Sequence, residues 1–173
     1  MKRRQLFAFL LLPLAALFAE RGPAAAQQLP VGKADLVLVF KSERRLELRS
    51  QGRTLRSYRI ALGGNPIGHK VQEGDARTPE GLYQLDWRNA GSQYYKSIHV
   101  SYPNDLDAYR AEGLGVDPGG MIMIHGLPND FRPERADSLL GRDWTNGCIA
   151  VRNEDMDEIW HAVDDGTTIM IFR

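Results

Sequence analysis

The sequence predicts a mainly β domain with one firm helix near its C-terminus. Three observations predict it. Short apolar runs bounded by Gly, Pro, Asn and Ser recur along the chain, as expected of strands of about five residues. Between Arg44 and Leu62, polar and apolar residues alternate with period two. In Asn153–Val163, Met156, Ile159, Trp160 and Val163 fall at i, i+3, i+4 and i+7, the spacing of a helix with one buried stripe.

The 173 residues carry 22 Lys+Arg and 22 Asp+Glu. Lys2, Arg3 and Arg4 precede an uncharged run, Leu6–Ala19, of 14 residues. A helix needs about 20 apolar residues to cross a bilayer. The run therefore reads as the core of a secretory leader, with Ala24–Ala26 as its small-residue cleavage site. The expected organisation is a signal peptide over 1–26, a linker over 27–33 and one domain over 34–173. Removing the leader leaves 147 residues with 18 Lys+Arg and 21 Asp+Glu, a net charge of −3. That is enough chain for a real core. No basic face stands out, so nucleic acid is not an expected partner. No membrane-length segment follows the leader, so the chain is expected to be exported.

The elements follow in order. Ala34–Phe40 is a compact apolar run, a buried strand. Arg44–Arg49 and Arg53–Leu62 alternate on either side of Ser50-Gln51-Gly52 and form a hairpin. Gly63–Gly81 is dense in Gly and Pro and is a long loop. Leu82–Trp87 and Lys96–Tyr102 are strands. Pro103–Gly120 mixes a helical turn or two with loop, and Met121–His125 is another short buried strand. Asp130–Trp144 is polar and carries a short helix. Asn153 caps the firm helix, whose first turn holds Glu154, Asp155 and Asp157, where the dipole favours negative charge. Thr167–Phe172 closes the chain as a strand.

Cys148 is the single cysteine. In an oxidising compartment a lone cysteine is an inert buried thiol, one half of an intermolecular bond, or a reactive group. Its surroundings, Asp143-Trp144-Thr145-Asn146-Gly147-Cys148, form a polar turn leading into the apolar Ile149-Ala150-Val151. Glycine lets backbone approach a ligand closely, and such a turn can aim N–H groups at a developing oxyanion. A thiol nucleophile also needs a base. Of His69, His99, His125 and His161, the last lies out of phase with its helix stripe, and His69 sits in the Gly/Pro loop. His99 lies on a strand, as a structural or a cleft residue. His125 ends a hydrophobic strand and precedes Gly126, whose carbonyl is free to orient the ring.

Met121–Gly126 followed by Asp143–Val151 resembles the catalytic signature of the L,D-transpeptidase (YkuD-type) domain family, and Gly74–Leu85 resembles its Arg/Lys-Thr-Pro-x-Gly segment. The resemblance runs from about Leu36 to Phe172. It implies a β-sandwich or barrel of mixed strands with one or two short helices, one following the cysteine. It also implies action on peptidoglycan stem peptides. Cys148 would attack the L-centred carbonyl of a tetrapeptide stem and release D-Ala. The thioester would then pass to an amine, giving a 3→3 cross-link. His125 would donate and accept the proton, the Gly126 carbonyl would orient it, and backbone near Gly147 would form the oxyanion hole. Thr145, Asn146, Arg152, Arg77 and His99 are the candidate substrate contacts. Two departures stand out: Asn146 replaces a frequent second His, and Ala150 replaces a frequent Arg or Asn. Water as acceptor would make the protein an L,D-carboxypeptidase or amidase. A wall-linked protein is a further partner, and a non-catalytic wall-binding module is the rival class. No close-spaced ligand pair exists, so no metal is expected, and the chemistry needs no cofactor.

Overall fold

The computed structural model describes residues 31–132 and 136–173; the leader and most of the linker expected from the sequence lie outside the described residues. Among the described residues, eight strands form one mixed sheet. They are β1 (Leu36–Phe40), β2 (Arg45–Ser50), β3 (Arg53–Arg59), β4 (Gly81–Asn89), β5 (Ser97–Val100), β6 (Met123–His125), β7 (Ile149–Ala150) and β8 (Thr167–Phe172). Their order is β3-β2-β1-β8-β4-β5-β6-β7. The pairs β1–β8 and β6–β7 are parallel and the rest antiparallel. Three α-helices accompany them, α1 (Asp105–Leu114), α2 (Ala136–Leu140) and α3 (Asn153–Ala162), with one 3-10 turn at Lys41–Glu43. The fold is mainly β, as the sequence predicts.

Alternation decides which face is buried. In β1 and β2, Val37, Val39, Leu46 and Leu48 are fully buried while their neighbours are not. Gln51 (φ 49°) and Gly52 (φ 77°) make the tight β2–β3 connection, the paired left-handed geometry that matches strand twist. The strand expected to reach Leu62 ends at Arg59. Beyond it the chain crosses to the far edge of the sheet, where Ala61 and Ala150 exchange two backbone hydrogen bonds of 2.9 Å. The curled sheet is thereby tied edge to edge, leaving β7 no free side for aggregation.

Met156, Ile159, Ala162 and Val163 of the α3 segment are fully buried in the concave core with Ile98, Ile124, Ile149 and Ile169. Trp160 is only half-buried, with the Arg88 guanidinium 5.0 Å from its ring centroid. The N-cap is Arg152, and Asn153 is the first helical residue. The Asn153 Oδ1 instead accepts from the Leu127 N–H at 2.9 Å, joining the helix to the chain that leaves β6.

The region expected to hold a turn or two of helix forms the ten-residue α1. Asn104 accepts from the N–H groups of Leu106 and Asp107, and Asp107 accepts from the Asn104 N–H, a capping box written without Ser, Thr or Glu. Only Asp107 and Ala111 of α1 are buried, so it shows no apolar stripe. Asp107 is held by the Tyr83 hydroxyl at 2.8 Å and His69 Nε2 at 3.0 Å.

Lys41 anchors the long loop. It is 2% exposed, and its ammonium donates to Gly68 O (2.6 Å), Thr78 O (2.8 Å) and Glu80 Oε1 (2.9 Å). Removing the ammonium leaves two carbonyls and a carboxylate without their donor, which costs several kcal/mol when burial excludes water. Lys41→Met is expected to destabilise the fold by about 2–4 kcal/mol, measured as a shift in the urea midpoint; an unchanged midpoint refutes this role.

Candidate active site

The site is built where β6 ends and β7 begins. Ile124 pairs with Ile149 and His125 with Ala150 in parallel register. Cys148, one residue before β7, is thus set beside the strand that carries His125. Both side chains line one cavity of about 410 Å³, together with Ser97, Tyr94, Met121, Met123 and Trp144.

His125 is 4% exposed. Its Nδ1 lies 2.6 Å from Gly126 O. A carbonyl only accepts, so Nδ1 carries the proton and Nε2 the lone pair. The Tyr94 ring packs at 4.6 Å and the Trp144 ring stands edge-on at 5.9 Å, fixing the imidazole between them. Burial pulls the imidazole pKa down to about 4, against the opposing pull of the Gly126 carbonyl. Near neutral pH the ring is therefore an uncharged base. Gly126 itself has no room for a side chain: a Cβ would lie 2.6 Å from Asn153 Oδ1 and 2.8 Å from Tyr95 Cβ.

Cys148 is a free, half-buried thiol. Its Sγ–H donates to Met121 O at 3.5 Å. Burial pushes the thiol pKa up, while the Met123 N–H facing the sulfur and the more distant Lys70 pull it down. Sulfur thus has an acceptor for its proton on one side and a donor for its anion on the other. Met121 adopts φ 57°, outside any strand, and β6 accordingly begins at Met123 rather than Met121.

The turn before the cysteine is held by Thr145. Its Oγ1 donates to Cys148 O at 2.7 Å and accepts the Gly147 N–H at 3.1 Å. That N–H is thus already engaged. The glycine at 147 is required by shape, because φ is 131° and a Cβ would lie 2.6 Å from Arg77 O.

The sequence-derived contacts divide. Thr145 and Asn146 line the cavity. Arg77 contributes its backbone carbonyl beneath Gly147, while its guanidinium turns toward His69 O (3.5 Å). Arg152 pairs with Asp137 of α2. His99 bonds Asp86 at 2.7 Å and stacks on Trp87 at 4.8 Å. These three side chains are not among those that line the cavity, and none of its described lining residues is charged. Sequence reasoning missed Tyr94, Trp144, Met121, Met123 and Ser97. Only the aromatic residues in otherwise polar loops, Tyr94 and Trp144, offered a signal. Among the described residues no group of three His, Cys, Asp or Glu is placed to hold a metal, and no helix is long and apolar enough to cross a membrane.

A mixed sheet tied edge to edge sets a lone thiol and a carbonyl-oriented imidazole in one cavity. The family model for the YkuD L,D-transpeptidase catalytic domain matches residues 34–171, and the chain belongs to that family. It is 34% identical over 143 residues to a protein of Escherichia coli K12 named "Putative L,D-transpeptidase YafK", covering 79% of this chain and 50% of that one. The chain thus spans about half the length of the curated relatives it matches. The crystal structure of the helical cell shape determining protein Pgp2 from Campylobacter jejuni is 30% identical, with a TM-score of 0.61 over 79% of this chain and 46% of that one. An L,D-transpeptidase from Xylanimonas cellulosilytica shares the fold at 15% identity, with a TM-score of 0.52 over 82% of this chain and 61% of that one.

Two outcomes follow from this geometry. His125 has a pKa of about 4 when folded against an ordinary 6.5, so between those values the unfolded chain binds more protons. Stability rises with pH there and is lost on acidification from about 6.5 to about 4. At about 1.4 kcal/mol per pH unit the loss is about 3 kcal/mol. Urea titrations at pH 7 and pH 4 should show His125→Gln losing about 3 kcal/mol less than the native chain; equal losses would refute it. Gly147→Ala must displace either the turn or the 77–78 backbone, and is expected to reduce Cys148 acylation at least 100-fold, read by mass spectrometry of the trapped thioester. Native acylation in this variant would show that the close approach is dispensable.

Proposed function

We propose that the protein is a peptidoglycan L,D-transpeptidase working through a thioester on Cys148. The observation that carries this reading is the cavity shared by the thiol and His125, whose Nδ1–H is tied to Gly126 O at 2.6 Å and whose Nε2 is left basic.

A tetrapeptide stem places its L-centred carbonyl against Sγ. The thiol proton leaves Met121 O and moves to Nε2 as sulfur attacks, so charge separates only when a substrate is present. The Met123 N–H, already facing sulfur, steadies the developing thiolate. With the Gly147 N–H bonded to Thr145, the Cys148 N–H is the turn's donor to the tetrahedral oxyanion, a contribution of about 3 kcal/mol. The imidazolium then protonates the departing D-Ala amine, and the thioester remains. An incoming amine loses its proton to the restored imidazole and gives the 3→3 cross-link. Thr145, whose hydroxyl ties Gly147 to Cys148 O, holds this turn rather than the substrate. Asn146, at the exposed rim, contacts the peptide.

Action on peptidoglycan calls for an exported protein of the periplasm or cell wall, in keeping with the leader read in residues 1–26. The lack of a cationic lining residue in the described cavity favours recognition of the stem by its backbone and apolar surface over pairing with its carboxylates.

Cys148→Ala is expected to abolish turnover of a purified tetrapeptide stem while leaving the urea midpoint within about 1 kcal/mol of native. His125→Ala should lower kcat/KM by about 10²–10⁴-fold. Muropeptides analysed by mass spectrometry after incubation should include the 3→3 dimer. A tripeptide alone would replace the amine acceptor by water, making the protein an L,D-carboxypeptidase. No acyl-enzyme with any stem would reduce the protein to a wall-binding module.

A further inference from the structure

His99 lies outside the cavity, yet it is placed by the same strands. Ser97 pairs with His125, and His99 pairs with Met123. Residues two apart on a strand face the same side, so His99 shares the face of Met123 and His125, about 7 Å further along the sheet. Its ring stacks on Trp87 at 4.8 Å with an interplanar angle of 18°. Its Nδ1 is fixed on Asp86 Oδ1 at 2.7 Å. The β4–β5 register shifts between Leu85 and Arg88, and this irregularity is what carries Asp86 and Trp87. Trp87 remains 39% exposed, and the Asp86 side chain 38% exposed. A half-open indole backed by a second ring, with a carboxylate held in place beside it, is a rigid platform on the face that holds the candidate active site.

We propose that Trp87, His99 and Asp86 form a sugar-binding platform that receives the glycan to which the stem peptide is attached. This rests on the peptidoglycan reading above. The apolar face of a pyranose stacks on an exposed indole, and its hydroxyls donate to a fixed carboxylate, where the charged acceptor strengthens the bond. The reach agrees. The attacked carbonyl belongs to the third stem residue, so three residues lie between it and the glycan, and three extended residues span about 10 Å. Trp87 lies on β4, two strands from the β6 that carries His125, which is about 10 Å across the sheet at about 4.8 Å per strand. The uncharged cavity holds the peptide, and the platform distinguishes a stem still joined to its sugar from a free one.

The test uses two measurements on the full chain. In the first, a peptide-free oligosaccharide of the wall glycan is titrated into the Cys148→Ala protein and followed by isothermal titration calorimetry. Binding is expected, with at least a fivefold loss in Trp87→Ala, a partial loss in Asp86→Asn, and retention in Trp87→Phe. In the second, kinetics compare disaccharide-tetrapeptide with free tetrapeptide. Trp87→Ala should raise KM for the first several-fold at unchanged kcat and leave the second unaltered. Absence of glycan binding, or equal binding by Trp87→Ala, overturns the proposal. An equal KM penalty on both substrates also overturns it, because the platform would then read peptide. If neither substrate turns over while the glycan still binds at Trp87, the platform stands and the transpeptidase reading falls.

Discussion

The parallel pairing of β6 with β7 is the constraint on which the site depends. β7 is two residues long, too short to hold a position by itself. It is clamped between β6 on one side and Ala61 on the other, and Ile149, Ala150 and Val151 are completely buried. That clamp puts sulfur and imidazole in the wall of one cavity. A register slip would turn Cys148 from that face toward the core, because successive strand residues point to opposite faces.

The loop that looks least structured in the sequence is what shapes the nucleophile turn. Lys41 holds the Thr78 carbonyl, Thr78 Oγ1 accepts the Gly63 N–H at 3.1 Å, and Arg77 O packs beneath Gly147. Gly63 is equally crowded, with Ala76 O 2.1 Å from where a Cβ would stand. The Arg-Thr-Pro segment thus shapes this turn with its backbone, while the Arg77 guanidinium is turned toward His69 O. Burial does the electrostatic work in the cavity. It lowers the imidazole pKa and raises the thiol's, so both groups rest uncharged near neutral pH.

Much of the fold was legible. A compact apolar run marked β1, period-two alternation marked β2 and β3, and apolar spacing marked α3, because burial leaves a direct trace in residue order. α1 left none: its stability comes from the Asn104–Asp107 caps and from Asp107 held by Tyr83 and His69, which are 24 and 38 positions away. Likewise Asn153 has the side chain of a cap but serves Leu127, since one amide oxygen has several possible uses and packing chooses among them.

In the site, Cys148 and His125 could be singled out from sequence because their chemistry is rare and their neighbours, Gly147 and Gly126, are the residues that close backbone approaches require. Residue type and local order determined that much, together with the mainly β class. Which side chains actually surround the sulfur was decided only by the tertiary structure. Tyr94, Met121 and Trp144 come from loops distant in sequence, while Arg77, Arg152 and His99 are drawn off to His69, Asp137 and Trp87. Side-chain direction depends on pairing register and long-range packing, and neither is written in the spacing of neighbouring residues.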